Sequence, residues 1–477
     1  MVSNLKNSLN HLGKDSRAEH WDKIWSGSSP SWGGYYHRWI QRVYGFVIPK
    51  GARVLELGCG CGDLLASLHP DYGVGIDFSP AAISKARINH TDLHFDVMDA
   101  ESLELSAEQF DYIILSDLVN DLCDVQTTLR GIIPHCHPFT RLVINFHSHL
   151  WRLPLQMAQR LRLATPSMLQ NWITIEDVRN FLILESFELL NKWSEIVVPL
   201  NLPGASWFNR YLAKVAPFRW FALTNLVVAR PLMTIMDSKP SCTVVVAARN
   251  EQGNINELFE RLLDLELATE IIFIEGNSTD NTFLAIKEAI SDHPSLNCRL
   301  LKQPGEGKGD AVRKGFAVAM GDVLMILDAD MTVLPEDLRL FYEAIVSRKG
   351  EFINGVRLVY PMEDKAMGFF NLVGNKFFSI VFSWLLDQPI RDTLCGTKVF
   401  WRKDYERIAA DRDYFGNFDP FGDFDLLFGA AKLKLKILEI PVHYYERHYG
   451  ETNISRWHHG FLLLKMTVLA ARRIKFF

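Results

Sequence analysis

A chain of 477 residues exceeds one ordinary hydrophobic core and suits two domains. Its 48% hydrophobic and 22% charged residues exclude a disordered chain, and a net charge of −5 gives no basic footprint for nucleic acid. Seven cysteines without framework spacing point to a reducing cytoplasm, and adjacent residues such as His135-Cys136-His137 rarely aim at one zinc ion.

Residues 1–40 are rich in Trp, Tyr and His and read as a helical cap over a site. The polar start, Met1 to Lys14, carries no apolar signal core. Arg53 to Leu57 is a short buried strand by composition. Gly58 to Gly62 then turns the chain, and Asp63 to Leu68 begins a helix. A glycine loop between strand and helix lets a ligand approach the backbone closely. The next strand, Gly73 to Asp77, ends in an acid twenty-one positions after Glu56. That places a carboxylate where it can accept both hydroxyls of a ribose. Two more strands follow, Leu93 to Val97 leading to Asp99, and Tyr112 to Leu115 leading to Ser116-Asp117. The segment Trp151 to Glu195 reads as mostly helical. Ile196 to Leu200 and Leu223 to Ala229 read as closing strands.

This ordered set resembles class I S-adenosylmethionine-dependent methyltransferases over roughly residues 20–231. The loop Glu-Leu-Gly-Cys-Gly-Cys-Gly is close to that family's first motif. The Gly-x-Gly-x-Gly spacing fits an NAD-type Rossmann domain less well. The resemblance implies Gly58, Gly60 and Gly62 beside the methionine part, Asp77 on the ribose and Asp99 at the adenine amine. Glu56 and Ser116 complete the expected cofactor set. The strand end Ser116-Asp117-Leu118-Val119-Asn120 lacks the Asn/Asp-Pro-Pro-Tyr/Phe signature of amine methylators, so oxygen is the better acceptor. Asp117 and His147 are the candidate catalytic groups, with Asn120 and His149 nearby. Each has a structural hydrogen-bonding role as its alternative.

Asp237 to Ser241 is polar and contains a proline, which marks a linker. The expected division is 1–231, linker 232–240, 241–457 and a tail at 458–477. The second half opens with a strand at Cys242 to Ala247, then Arg249-Asn250-Glu251 and a helix from Ile255. A strand at Glu270 to Ile274 leads to Ser278-Thr279-Asp280. Gly305 to Gly309 is a flexible basic loop, and Val312 to Ala319 a helix. Val323 to Leu327 is a third strand ending in Asp328-Ala329-Asp330. Two aspartates at i and i+2 on such a turn can reach one hard cation, Mg²⁺ or Mn²⁺, which also takes diphosphate oxygens.

These features resemble glycosyltransferase family 2, with a GT-A fold, over roughly residues 241–460. The closer likeness is to polyprenyl-phosphate mannosyl- and glucosyltransferases. It rests on Gly307 to Ala311, Asp328-Ala329-Asp330 and the stretch from Ile440 through Arg447 to Thr452. The fold class is thus α/β, with a Rossmann-like methyltransferase sheet followed by a GT-A nucleotide-sugar-binding fold. The resemblance implies Asp328 and Asp330 on the metal and Arg447 on the donor diphosphate, as its planar fork allows. Arg249, Glu251, Asp280 and Lys308 join Asp328 around the nucleotide-sugar, and Arg357 meets the acceptor phosphate. The sequence departs from the family at Glu275 and Gly276, where paired aspartates are usual. It departs again at Thr332, for a glutamine, and at Asn453, for a lysine.

The function so implied is bifunctional: metal-dependent, inverting transfer of a sugar from a nucleotide-sugar to a polyprenyl phosphate, plus S-adenosylmethionine-dependent methylation. A lipid phosphate is already anionic and needs no general base. A second reading moves the sugar to a glycan or small-molecule hydroxyl, with the methyltransferase half as a cofactor-binding or docking module. Asp423 or Asp425 would then be the base.

Phe369 to Leu386 is apolar but interrupted by Asn371, Asn375 and Lys376. Its polar series Asn371, Asn375, Ser379, Ser383 suits a helix at a surface or interface, or one buried in the core. From His443 onward there are six Lys/Arg against two Glu. The tail Gly460 to Phe477 reads as a basic amphipathic helix for an anionic membrane surface, with packing on the sugar-transfer domain as the alternative. That implies a cytoplasmic protein, peripheral on the inner face of the membrane.

Overall fold

The computed structural model describes residues 19–26, 34–160, 170–233, 239–263, 269–357, 359, 369–414, 423–445, 447, 449 and 464–477. Within these, only the backbone is described at 369–373, 413 and 423. The chain divides into two compact units, Met1–Met233 and Thr234–Phe477.

The first unit opens with α1 (19–26) and α2 (Gly34–Val47). A seven-stranded sheet follows, ordered β3-β2-β1-β4-β5-β7-β6. Its strands are β1 (Arg53–Leu57), β2 (Tyr72–Asp77), β3 (His94–Val97), β4 (Phe110–Ser116), β5 (Cys136–His147), β6 (Phe187–Glu195) and β7 (Thr224–Pro231). The first five run parallel, and β7 is antiparallel to both β5 and β6. Val54, Leu55 and Leu57 of β1 and Ile113 to Leu115 of β4 are buried on both faces, as parallel strands covered by helices must be. Each such side chain contributes roughly 1.5–3 kcal/mol by leaving water. The connecting helices are α3 (Asp63–Ser67), α4 (Pro80–Asn89), α5 (Val125–Gly131), α6 (Arg152–Arg160), α7 (Ile175–Leu184) and α8 (Ala205–Tyr211).

The second unit is again a seven-stranded sheet, ordered β10-β9-β8-β11-β13-β12-β14. Its strands are β8 (Cys242–Ala248), β9 (Glu270–Glu275), β10 (Cys298–Lys302), β11 (Val323–Asp328), β12 (Phe352–Val356), β13 (Lys398–Trp401) and β14 (Ile437–Pro441). β8 to β11 are parallel. β13 runs against both β11 and β12, and β14 is parallel to β12. Phe352 and Phe400 stack across β12 and β13 with centroids 5.5 Å apart and planes 3° from parallel. The helices are α9 (Ile255–Leu263), α10 (Thr282–Asp292), α11 (Lys308–Val318), α12 (Leu338–Val346), α13 (Phe369–Leu386), α14 (Arg402–Ala410), α15 (Asp423–Lys432) and α16 (464–470).

Two local expectations change, and one open alternative is decided. Ile196 to Leu200 is not a strand. The strand is Phe187–Glu195, inside the segment read as helical, and Ile196 ends it at φ 62°. The glycine-lysine-glycine segment is not loop throughout, because α11 already begins at Lys308, after Gly307 at φ 82°. The polar stripe of α13 faces inward. Asn375 Nδ2 donates to Asp392 (3.0 Å), and the Ser379 and Ser383 hydroxyls donate to the Ile390 carbonyl (2.7 and 3.0 Å). Phe377 and Ile380 on its other side are exposed, and the Asn371 side chain lies outside the described residues.

The tail packs inward as well. Met466, Ala470 and Ile474 join the core of the second unit, and Lys475 pairs with Asp387 at 2.5 Å. Leu464 and Val468 remain exposed. Among the described residues no helix is long and apolar enough to cross a membrane.

Candidate active sites

In the first unit the chain order reverses between β1 and β4, opening a crevice at their carboxyl ends. Gly58, Gly60 and Gly62 turn there with φ of 70°, 52° and 79°, a region that favours glycine. A Cβ on Gly58 would lie 2.9 Å from Leu118, and one on Gly60 would lie 3.0 Å from Trp25. Asp77 ends β2 and accepts the Gly60 amide on Oδ2 and the Ser79 amide on Oδ1, both at 2.9 Å. Each oxygen keeps a further lone pair, so the carboxylate is fixed yet still open to two hydroxyls. Burial raises its pKa above the ordinary carboxylate value, against those two amides. Glu56 is buried, its Oε2 has no partner, and burial pushes its pKa well up. Ser116 lies beside the glycine turn, because Leu57 pairs with Leu115. Asp99 follows β3, beside Asp77, and accepts the Glu101 amide at 2.9 Å.

Helix α1 lies over this crevice. Asp22 Oδ1 accepts the Ser79 hydroxyl (2.8 Å) and the Ala81 amide (3.0 Å), and the Lys85 ammonium donates to the Trp25 carbonyl. Next to it, at the ends of β4, β5 and β7, sits a polar cluster. Tyr36 donates to Asp117 (2.8 Å to Oδ1), Asn145 Nδ2 donates to the same oxygen (2.6 Å), and the Thr224 hydroxyl donates to Tyr36 (3.1 Å). The His147 ring stacks on Tyr36 at 5.9 Å, with its Nδ1 buried and unpartnered. Burial and the Asp117 charge push the Tyr36 phenol well above its ordinary value, so Tyr36 serves as a donor. Asp117, at φ 54°, is thus already engaged by two donors. Asn120 fixes the His147 backbone through its Oδ1 (2.9 Å).

In the second unit β8, β9 and β11 end together, since Ala248 pairs with Glu275 and Asp328 with Ala247. Asn250, Asn277 and Met331, at φ 57°, 56° and 58°, turn the chain just beyond these ends. For Met331 this conformation is strained. It lets Thr332 fold back, its hydroxyl donating to Asp330 Oδ1 at 2.7 Å. Lys308 stands 2.6 Å from Asp328, and Arg447 2.5 Å from Asp330 and 3.7 Å from Glu251. Burial works to raise Asp330, but Arg447 and Thr332 overcome it and hold the carboxyl below its ordinary value. Burial and the two aspartates push Glu251 up to about 7 against Arg447. Asp280 accepts the Gln252 amide (3.3 Å), and Arg249 is exposed at the same edge. Among the described residues no three His, Cys, Asp or Glu gather as a metal cage. Two carboxylates on one turn suit a hard cation whose remaining ligands are water and diphosphate.

Other expected residues stand apart from these ends or are already engaged. Arg357 is gripped by buried Asp392 through Nε (2.7 Å) and Nη2 (2.9 Å) and lies over Tyr444. Asp425 is buried and pairs with Arg412 at 2.8 Å. The Asp423 side chain lies outside the described residues, as do Asp237, Ser238, Glu446, His448 and 450–463. Sequence reasoning missed Asp22, Trp25, Tyr36, Asn145 and Thr224. The aromatic richness of residues 1–40 was the signal for the first three.

Residues 48–192 match the family described as "Methyltransferase domain", and residues 243–409 match "Glycosyl transferase family 2". A dolichyl-phosphate beta-glucosyltransferase of Dictyostelium discoideum is 28% identical over 43% of this chain and 66% of its own length. A dolichol-phosphate mannosyltransferase of Pyrococcus furiosus is 34% identical over 22% of this chain and 29% of its own. The chain thus spans just under two thirds of the first relative and far less of the second. Among solved structures, a Mycobacterium tuberculosis glucosyl-3-phosphoglycerate synthase with Mn²⁺ and uridine diphosphate is 15% identical, at a TM-score of 0.38, over 51% of this chain and 88% of its own. A Mesorhizobium loti S-adenosylmethionine-dependent methyltransferase is 19% identical, at a TM-score of 0.32, over 40% and 95%. The chain carries a methyltransferase domain at 48–192 and a family 2 glycosyltransferase domain at 243–409, two transferases in one polypeptide.

Proposed function

We propose that the second unit transfers a hexose from a nucleoside diphosphate to a polyprenyl phosphate, with inversion, and that the first unit methylates an oxygen using S-adenosylmethionine. The observation that carries the sugar-transfer reading is the pairing of Asp328 with Lys308 and of Asp330 with Arg447. Each carboxylate is neutralised by a side chain that can instead bind phosphate. A bound Mg²⁺ or Mn²⁺ would supply charge neutralisation for the departing diphosphate. Lys308 and Arg447 then turn from the aspartates to the diphosphate oxygens, Arg447 with its planar fork. Thr332 keeps Asp330 oriented, and Glu251 and Asp280 face the nucleoside. A phosphate acceptor attacks without a base, which agrees with Asp425 being held by Arg412. The names of the relatives support the lipid acceptor. The exposed Phe377 and Ile380 of α13, with Lys465, Arg472 and Arg473 exposed in the tail, suit a protein peripheral on the inner membrane face.

For methyl transfer, the left-handed glycine turn and the unpartnered Glu56 Oε2 fit the amino-acid end of the cofactor, and Asp77 fits its ribose. The cofactor supplies an electrophilic methyl group. Asp117 anchors Tyr36, and His147, with its unpartnered Nδ1 at a strand end, takes the acceptor's proton in this reading.

The test is release of nucleoside diphosphate from UDP- and GDP-hexoses, with Mg²⁺ or Mn²⁺, with and without a short-chain polyprenyl phosphate. Release that needs the lipid phosphate, the metal and Asp330 is expected. Release that is equally fast without lipid phosphate and rises with a glycan hydroxyl contradicts the acceptor assignment.

A further inference from the structure

The methyltransferase unit carries an apolar face that neither site uses. On α6, Leu153 (69% exposed) and Met157 (61%) point outward, with Leu150 just before them. On α8 and the turn at 218–221, Trp207, Trp220 (61%) and Phe221 do the same. On α8 Ala205 and Asn209 are buried, so its outward aromatic face is a distinct side. A Trp151 Nε1 bond to the Phe221 carbonyl (2.8 Å) joins the two segments, and Phe208 meets Phe218 edge-on at 5.4 Å. Large exposed apolar patches of this kind mark interaction surfaces.

Charge selects the partner. Neither 148–172 nor 196–223 contains an aspartate or glutamate, while Arg152, Arg160 and Arg219 are exposed among the apolar groups. Tryptophan and other aromatics flanked by arginine suit the headgroup layer of an anionic membrane. Position gives the face a use. His147 pairs with Thr224 across β5 and β7, and the Ser148 amide donates to the Leu223 carbonyl at 2.7 Å. The two segments therefore spring directly from the strand ends that carry the polar cluster of Tyr36, Asp117 and His147.

We propose that the methyltransferase unit docks on an anionic bilayer through the face made by α6, α8 and the turn at 218–221. Docked, it presents the acceptor end of the methyl site to molecules held at the membrane surface. This does not depend on sugar transfer, and it is tested without any sugar donor.

The experiment is co-sedimentation of the full chain with phosphatidylcholine vesicles and with vesicles that also contain phosphatidylglycerol. Binding to the anionic vesicles alone is expected. Leu153→Glu with Trp220→Glu lowers it at least about tenfold, and Arg152→Gln with Arg219→Gln by roughly fivefold per arginine. Each variant retains S-adenosylhomocysteine binding, which shows that the unit is folded. With the tail's basic contact removed by Lys465→Gln and Arg472→Gln, binding that survives both pairs overturns the proposal, as does binding that this tail pair alone abolishes. Equal binding to neutral vesicles also overturns it. So does self-association of the chain that Trp220→Glu removes, which would make this a face between copies.

Discussion

The two sites are built at the same place in two similar sheets, yet their carboxylates are prepared in opposite ways. Asp77 is met by two backbone amides, neutral donors that leave its charge intact and its remaining lone pairs free. Asp328 and Asp330 are met by Lys308 and Arg447, full cations that cancel their charge. On the proposed reading the first arrangement takes a neutral diol and needs no rearrangement to do so. The second would take an anionic diphosphate with its cation, and its ion pairs would exchange partners on binding. The partner of a carboxylate therefore says more about its ligand than the acid does.

The sharpest way to break this contrast is Asp330→Asn. It removes a charge from the turn and the shorter of the two ion pairs that Arg447 makes, so sugar-transfer kcat should fall by about three orders of magnitude, read as nucleoside diphosphate release. Arg447→Lys should cost nearly as much, about two orders, because an ammonium cannot replace the planar fork. On the other sheet, Asp77→Asn should weaken S-adenosylhomocysteine about a hundredfold by calorimetry, since two hydrogen bonds to a charged group are lost. Gly60→Ala should cost about tenfold, because φ is 52° and the added methyl meets Trp25 at 3.0 Å.

The smallest effect concerns stability. Glu56 has a raised pKa in the fold because it is buried with one oxygen unpartnered. For a raised carboxyl, stability is fully present below the unfolded value and is lost as pH rises through the folded value. Glu56→Gln should therefore stabilise the ligand-free unit at neutral pH, on the order of 1 kcal/mol, with the advantage fading as pH falls. Thermal melts across pH read this directly, and a constant difference would show that Glu56 does not titrate.

The strand-turn signals in the parallel halves of both sheets were legible, because a buried strand followed by a glycine turn or an acid pair is a local pattern. β1, β2 and β11 lie within a residue of their expected bounds. The antiparallel half of the first sheet was less so. β6 pairs its residues with β7 through a bulge at Leu189 and Asn191, which breaks the alternation that marks a strand. The inward stripe of α13 was visible as a period of four, but its direction depends on Asp392 and Ile390, distant in sequence. The Tyr36–Asp117–His147 cluster joins three remote segments, and no spacing within one of them announces it. Arg357 illustrates the converse. Its position matched a family role, while its partner, Asp392, was thirty-five residues away.

The measurement that tests the account most directly is a crossed pair of titrations on the full chain. S-adenosylhomocysteine, and nucleoside diphosphate with Mn²⁺, would each be titrated into the Asp77→Asn and Asp330→Asn variants. The account predicts that each variant loses its own ligand and binds the other as the unaltered chain does. Loss of both ligands in either variant, or loss of neither, would contradict two separately built sites.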